Sequence, residues 1–289
     1  MSLAPLACSV RDCGLPLARR DRTFACPAGH SFDIARSGYV NLLQPQDRRS
    51  PLAGDSKPAI EARASLLQAR IGRRIVDALV ARAAELAPAD SGVAVDLGSG
   101  CGDGLAVLAG LRPLTCVGID VSTAACEHAA RRFPALTWVV ANADRRLPLL
   151  DRRVDLVLSL HGRRNAAECA RVLGPNGSLL VALPAPDDLI ELRTVVQGKG
   201  VERDRGDAML VEHEPFFTLV ERLAIREALD IDRDALLNVL RATYRGARRA
   251  AAERVDSLQP MRVTFSSDLF VLRARSGMYV RLSGDNIRD

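Results

Sequence analysis

The chain has 289 residues, of which 48% are apolar and 26% are charged, a composition typical of a folded protein with one large domain and smaller additions. It contains no run of 18 or more apolar residues, which excludes a membrane-spanning helix. Its first residues lack the basic and apolar regions of an export signal. We therefore expect a cytoplasmic protein without a membrane partner. The net charge of +5 favours a polyanionic partner only slightly.

Four metal-ligand side chains lie within the first 30 residues, namely Cys8, Cys13, Cys26 and His30. They form two closely spaced pairs separated by twelve residues, which is typical of tetrahedral zinc held on turns. A disulfide is not expected without export. Because all four ligands come from the protein, the sequence predicts a closed, structural zinc site.

The segment after these ligands carries a specific motif. Residues 29–33 read GHSFD and residues 38–43 read GYVNLL, which together predict a hairpin. A polar loop follows over residues 44–57 and contains Arg48, Arg49 and the run Gly54-Asp55-Ser56. With the zinc ligands, this pattern closely resembles the ribosomal RNA guanine-N1 methyltransferases of the large subunit, over roughly residues 8–274.

The resemblance implies methylation of a guanine in a 23S ribosomal RNA hairpin, with S-adenosylmethionine (AdoMet) as donor. It also implies a zinc ribbon that helps hold the RNA, and a homodimer. Some members of this family confer macrolide resistance. Residues 1–50 contain seven Arg and four Asp, and we expect Arg48 and Arg49 to contact RNA phosphates.

A glycine-rich stretch at residues 93–104 reads VAVDLGSGCGDG. It predicts a short buried strand, a sharp turn and a helix from Leu105 to Leu111. A dinucleotide site would need a third glycine where Asp103 stands, and an acidic strand end would repel a pyrophosphate. The pattern instead resembles the first motif of class I AdoMet methyltransferases. By that resemblance, the methionine half of the donor is held by Asp96, Gly98, Gly100, Gly102 and Asp103.

Two later strands place further polar residues at the same edge. Asp120 ends the strand 115–120, 24 positions after Asp96, which suits a carboxylate that binds the ribose hydroxyls. Val121 follows it, and Asn142 and Ala143 resemble the segment that lines the adenine ring. The sequence thus predicts an α/β fold: a class I methyltransferase (Rossmann-like) mixed sheet with a small N-terminal zinc ribbon.

A fourth strand is predicted over residues 154–160, and it is followed directly by the run His161-Gly162-Arg163-Arg164-Asn165. Methylation of guanine N1 needs an acceptor for the leaving proton. His161 can accept a proton near neutral pH and Arg163 can bind a phosphate or a base edge, so both are candidate catalytic residues. The alternative is a helix start with exposed charges. The family more often has an aromatic or small residue and a proline here, which leaves the target base and ring position open.

Farther along, Asp188 stands where relatives often have a histidine, and its carboxylate can pair with the ammonium group of AdoMet.

We predict one amphipathic helix over residues 58–86, a helix from residue 187 or 188 to 196 and a loop over 197–207. In the last third we predict a strand over 216–227, helices over 232–240 and 244–256, and an antiparallel pair formed by 261–265 and 269–273.

The predicted division is a zinc-ribbon RNA-binding domain (1–45), a linker loop and helix (46–86), a methyltransferase domain (87–275) and a tail (276–289), with a separate core for the methyltransferase domain. Two alternatives remain: a small-molecule methyltransferase, and an RNA-binding protein whose methyltransferase domain no longer catalyses. The zinc ligands disfavour the first. The intact donor pattern from Asp96 to Asp120 disfavours the second.

Overall fold

The computed structural model describes residues 4–47, 54–198, 204–243 and 258–275. The predicted helix 244–256, the predicted tail 276–289 and the Arg48–Arg49 pair lie outside these residues. In the described part of the chain, no helix combines the length and the apolar character needed to cross a membrane.

The N-terminal ribbon is a small antiparallel sheet of β1 (Ala18–Arg20), β2 (Thr23–Ala25) and β3 (Ser31–Asp33). The hairpin predicted over residues 29–43 is wrong in its second half. There, β4 (Val40–Asn41) makes one bridge to Ile34 and pairs in parallel with β7 (Thr137–Val140) of the main sheet. The reason is burial: the side chains of Val40 and Leu42 are each 1% exposed, and the thin ribbon could not cover them.

The main sheet has eight strands in the order β10-β11-β9-β8-β5-β6-β7-β4. The strands not yet bounded are β5 (Gly92–Leu97), β6 (Leu114–Asp120), β8 (Val154–Leu160), β9 (Leu173–Pro184), β10 (Phe217–Ile231) and β11 (Met261–Ala274). Neighbours from β4 to β9 are parallel, whereas β11 is antiparallel to both β9 and β10. The chain leaves β5 in one direction to β6 and later returns to its other side at β8, so a crevice opens at the carboxyl ends of these strands.

Eight α-helices lie in the described residues: α1 (Lys57–Gln68), α2 (Arg73–Leu86), α3 (Asp103–Leu111), α4 (Thr123–Arg132), α5 (Ala166–Val172), α6 (Ile190–Gln197), α7 (Gly206–His213) and α8 (Arg233–Thr243). The single helix predicted over 58–86 is wrong, because Arg70 (φ 61°) and Gly72 (φ 65°) adopt left-handed conformations that end α1. At Gly72 a Cβ atom would lie 3.1 Å from the ring of Phe265. The break lets α1 pack on α4 and α8, while α2 packs on α3 and β10.

The antiparallel pair predicted for residues 261–265 and 269–273 is also wrong, because both lie in the single strand β11. The polar run that suggested a turn, Ser266-Ser267-Asp268, is buried inside the strand. Each of its side chains has a partner: Ser266 donates to Asp187, Ser267 bonds His161, and Asp268 accepts from Arg222. Polar residues therefore mark specific contacts here rather than a chain reversal.

The ribbon and the methyltransferase part share one hydrophobic cluster, while the buried residues of two further clusters all come from position 62 onwards. The methyltransferase part therefore has a core of its own beside the shared one. Apolar side chains from both parts form one buried cluster, including Leu6, Leu17 and Leu42 from the ribbon side and Val139 and Leu147 from the other. Backbone bonds cross the boundary as well: the amide of Ala7 donates to the carbonyl of Pro148 at 3.0 Å. The predicted boundary near residue 45 is therefore crossed by sheet pairing and by core packing.

Candidate functional site

The four predicted metal ligands come together at one end of the ribbon. Their ligand atoms all lie within 4.8 Å of one another. The Nδ1 atom of His30 is 3.5 Å from the Sγ atoms of both Cys8 and Cys26, and the Sγ atoms of Cys13 and Cys26 are 3.9 Å apart. A tetrahedron with Zn–S bonds of about 2.3 Å and Zn–N bonds of about 2.0 Å has edges of roughly 3.5–3.8 Å. The cluster thus has the size that zinc requires.

Local turns set this spacing. The amide of Cys13 donates to the carbonyl of Val10, and the amide of Gly29 donates to that of Cys26, so each ligand pair sits on a tight turn. Burial raises the pKa of the Cys8 thiol to about 12. Such a buried thiol becomes a thiolate when a cation binds, and the chemistry of the donor set therefore fits zinc.

The glycine loop between β5 and α3 forms a cradle at the sheet edge. Gly98, Gly100 and Gly102 all have positive φ angles, of 75°, 52° and 81°. A Cβ atom on Gly102 would lie 2.4 Å from the ring of Trp138, so the loop can take this path only with glycine there. The amide of Gly98 is held by the carbonyl of Ile119 at 2.8 Å, which ties the loop to β6.

Asp96, at the end of β5, has a buried Oδ1 atom without a hydrogen-bond partner among the described residues. Burial, and then the neighbouring charge of Asp120, raises the pKa of Asp96 to about 7. An unpaired buried carboxylate oxygen costs free energy, which a cationic or donor group of a ligand would recover. The ammonium group of AdoMet provides such a group.

Asp120, at the end of β6, is fixed by two backbone amides. Its Oδ2 accepts from Gly100 at 3.0 Å and its Oδ1 accepts from Ser122 at 2.8 Å. Burial raises its pKa, and these two bonds partly oppose the rise. The bonds leave further lone pairs on the carboxylate, whose position at the strand end suits a ribose diol.

The remaining predicted donor residues are divided between two places. Val121 and Asn142 follow the ends of β6 and β7 at the same edge, and Ala143 is buried beside them. The side-chain amide of Asn142 donates to the carbonyl of Asp47 at 2.8 Å, which ties this segment to the chain that leaves the ribbon. Asp103 instead forms a two-pronged ion pair with Arg132 of α4, at 2.8 and 3.0 Å, so its donor contact stays a prediction.

On the target side, His161 follows β8 with an unusual φ of 54°. Its backbone amide donates to Ala182, and its Nε2 lies 2.9 Å from the hydroxyl of Ser267. The side chain is accessible from the cleft, yet protein surrounds it. This desolvation, followed by the charges of Arg63 and Arg205, lowers the pKa of His161 to about 4. The imidazole is therefore neutral at physiological pH and is a weak base.

Arg163 and Asp188 flank this tip. Arg163 is exposed and pairs with Asp144 at 3.0 Å. One oxygen of Asp188 accepts from the amide of Ser266 at 3.0 Å. Burial raises the pKa of Asp188 to about 6, although this hydrogen bond opposes the rise. The structure thus brings both catalytic candidates and Asp188 to the carboxyl edge of β8 and β9.

Sequence reasoning missed Arg63, Ser267 and Gly162. Arg63, on α1, pairs with Asp55 at 2.9 Å and donates to the carbonyl of Ala242 at 2.8 Å, so it joins three segments beside the cleft. The sequence carried little indication of the first two, because Arg63 lies within a predicted amphipathic helix and Ser267 lies where a turn between two strands was predicted. Gly162 was visible as a glycine after a strand, but its close neighbour could only be found in three dimensions.

Gly162 allows the end of β8 to pass close to the donor loop. A Cβ atom there would lie 2.3 Å from the carbonyl oxygen of Leu97, next to Gly98. We expect Gly162→Ala to lower the free energy of unfolding by about 1–3 kcal/mol and to weaken donor binding, because the loop must shift. Thermal unfolding and calorimetric titration with S-adenosylhomocysteine measure both effects. Gly110→Ala is the matched control, since a Cβ at this helical glycine meets nothing within 4 Å. Equal stability of the two variants would contradict the prediction.

Comparisons with known proteins agree with this geometry. A family model described as "RlmA, N-terminal" matches residues 7–51, and one described as "Methyltransferase domain" matches residues 94–177. The 23S rRNA (guanine(748)-N(1))-methyltransferase of Streptomyces fradiae is 37% identical over 233 residues, which are 79% of this chain and 81% of that protein. A Micromonospora griseorubida protein, provisionally assigned as a 23S rRNA (guanine-N(1)-)-methyltransferase, is 40% identical over 66% of this chain and 69% of its own length.

A solved methyltransferase from the complex with the Haloferax volcanii Trm112 activator has a TM-score of 0.50 and 18% identity, and covers 76% of this chain and 98% of its own. That likeness shows the fold alone, and it confirms the predicted class I architecture. The identity to the Streptomyces fradiae enzyme over four fifths of both chains shows the family. The chain belongs to the 23S ribosomal RNA guanine-N1 methyltransferases, AdoMet-dependent enzymes with an N-terminal zinc ribbon.

Proposed function

We propose that this protein transfers a methyl group from AdoMet to N1 of a guanine in 23S ribosomal RNA, and that guanine 748 is the nucleotide modified. The observation that carries the proposal is the 37% identity to an enzyme named for that position, over 79% of this chain and 81% of that enzyme. The further proposals are a hairpin as the RNA element, a cytoplasmic location and a homodimer.

On the donor side, each role falls to a residue at the sheet edge. AdoMet supplies an electrophilic methyl group on a sulfonium. Asp96 would pair with its ammonium group through the unpartnered Oδ1, and Asp120 would accept from the ribose hydroxyls. Asn142 and Ala143 would line the adenine. Catalysis then consists mainly of alignment and exclusion of water.

On the target side, the proton on guanine N1 needs an acceptor. His161 is engaged through its Nε2 with the hydroxyl of Ser267, whereas Asp188 uses one oxygen for the amide of Ser266 and burial raises its pKa to about 6, which suits a proton acceptor near neutral pH. We therefore assign proton acceptance to Asp188 and hydrogen bonding of the base to the neutral imidazole of His161. In this assignment the ammonium group of AdoMet pairs with Asp96 and not with Asp188.

The experiment is to incubate 23S ribosomal RNA from cells lacking this protein with the purified chain and AdoMet, and to map modified bases by primer extension. Methylation at N1 blocks base pairing, so we expect a new stop one nucleotide to the 3′ side of guanine 748. The Asp120→Ala protein is the control and should leave the RNA unmodified. A stop at another position would correct the assigned nucleotide, and methyl transfer to no RNA would overturn the proposal.

A further inference from the structure

A groove of about 410 Å³ separates the ribbon from the methyltransferase part, at some remove from the target cleft. One wall is the ribbon turn at residues 8–14, and the other is the segment from Ala141 to Pro148 that follows β7. Because Asn142 belongs to this second wall, the groove begins where the predicted adenine site ends. Apart from the zinc ligands Cys8 and Cys13 and the predicted adenine contact Asn142, the residues that line the groove have no role in the proposal above.

Three arginines line the groove from both sides: Arg11 on the ribbon turn, and Arg145 and Arg146 on the opposite segment. All three are exposed, and within the described ranges their side chains have neither a hydrogen bond nor an ion pair. Arg146 reaches across to the ribbon, where its guanidinium nitrogen lies 3.3 Å from the point that a Cβ of Gly14 would occupy. Two acidic residues, Asp12 and Asp47, also line the groove, so its three Arg and two Asp side chains together carry a net charge of +1.

An ion pair joins the groove's second wall to the target cleft. Asp144, next to Arg145, accepts the ion pair from Arg163, whose side chain is 76% exposed. Arg163 in turn is two residues from His161. The segment that carries Arg145 and Arg146 is therefore tied to the tip of β8 through the ion pair of Asp144 with Arg163.

We propose that this groove binds the phosphodiester backbone of the RNA strand that carries the target guanine. Guanidinium groups that have no partner among the described residues can make paired hydrogen bonds to phosphate oxygens. Arginines on both walls would bind the phosphates of one RNA strand between the ribbon and the methyltransferase part. The nucleotides held in this way would then determine which guanine reaches the target cleft. The inference rests on the proposed function and adds a specific RNA contact to it.

The test is the salt dependence of binding to a labelled hairpin RNA that includes guanine 748, measured by fluorescence anisotropy. For Arg145→Gln/Arg146→Gln we expect the slope of log K against log salt to become shallower by about 1.4–1.8, from the loss of two phosphate contacts. Affinity at low salt should fall roughly tenfold or more. Binding of S-adenosylhomocysteine should not change.

The matched control is Arg152→Gln/Arg153→Gln, which removes the same charge from an exposed pair that precedes β8, at the opposite edge of the sheet. It should keep the slope of the parent protein. If the first variant loses donor binding through damage to its loop, Arg11→Gln on the other wall decides, with an expected change in slope of about 0.7–0.9.

Slopes equal to that of the parent in both the double variant and Arg11→Gln would overturn the inference, even if the parent protein methylates RNA. Failure of the parent protein to methylate the RNA would instead count against the proposed function, so the two failures can be told apart.

Discussion

Replacing Cys26 by Ser should remove zinc, lower the stability of the whole chain and weaken donor binding. Structural zinc contributes roughly 10–16 kcal/mol in small zinc domains, and strands β1 to β3, of three residues each, have little else to hold them. Without a folded ribbon, Leu6 and Leu17 no longer pack in the shared cluster. The hydrogen bond from Asn142 to the carbonyl of Asp47 is also weakened, and Asn142 belongs to the predicted donor site.

Elemental analysis, differential scanning calorimetry and titration with S-adenosylhomocysteine measure the three effects of Cys26→Ser. The control is Cys169→Ser, which also buries a hydroxyl in the same core but removes no predicted ligand, and it should keep one zinc per chain. Zinc-free Cys26→Ser protein with parental stability and donor affinity would show that the ribbon is energetically independent.

The second large effect is expected for Asp120→Ala. The carboxylate can accept from two ribose hydroxyls, and bonds to a charged acceptor contribute about 1.5–3 kcal/mol each. Even the lower value predicts a loss of donor affinity of about a hundredfold. The variant also frees the amides of Gly100 and Ser122, which would loosen the cradle further.

Calorimetric titration with AdoMet measures this loss. Asp155→Ala is a matched control, because Asp155 also accepts from a backbone amide of a neighbouring strand, that of Val93 at 2.8 Å, but at the amino end of β8. It should reduce stability without changing donor affinity. Equal affinities for folded Asp120→Ala and the parent protein would remove Asp120 from the donor site.

The donor edge could be predicted from sequence because its signals are local. Asp96, the glycines and Asp120 each stand at a strand end within a recognisable pattern, and parallel strands bring such ends to one edge. The zinc ligands were predictable for the same reason, since each pair lies on one turn. The separation within a turn, such as the 3.5 Å between Cys26 Sγ and His30 Nδ1, is local, whereas the 3.5 Å between Cys8 Sγ and His30 Nδ1 depends on how the ribbon brings the two turns together.

The errors arose where distant partners decide the local structure. Gly72 ends α1 although the apolar stripe continues through it, because α1 and α2 pack on different elements. Ser267 remains in a strand because His161 satisfies it across the sheet. Val40 leaves the ribbon because its burial is provided by strands about a hundred residues later in the chain.

The pairing of β4 with β7 also bears on the order of folding. Val40 and Val139 are partners, so β4 is synthesised long before the strand that it joins. The ribbon, whose pairing partners are near in sequence, is expected to form first once zinc binds, while β4 waits as an unpaired strand. Sheet closure at this edge should then be a late step, and refolding should show an early zinc-dependent phase followed by a slower one.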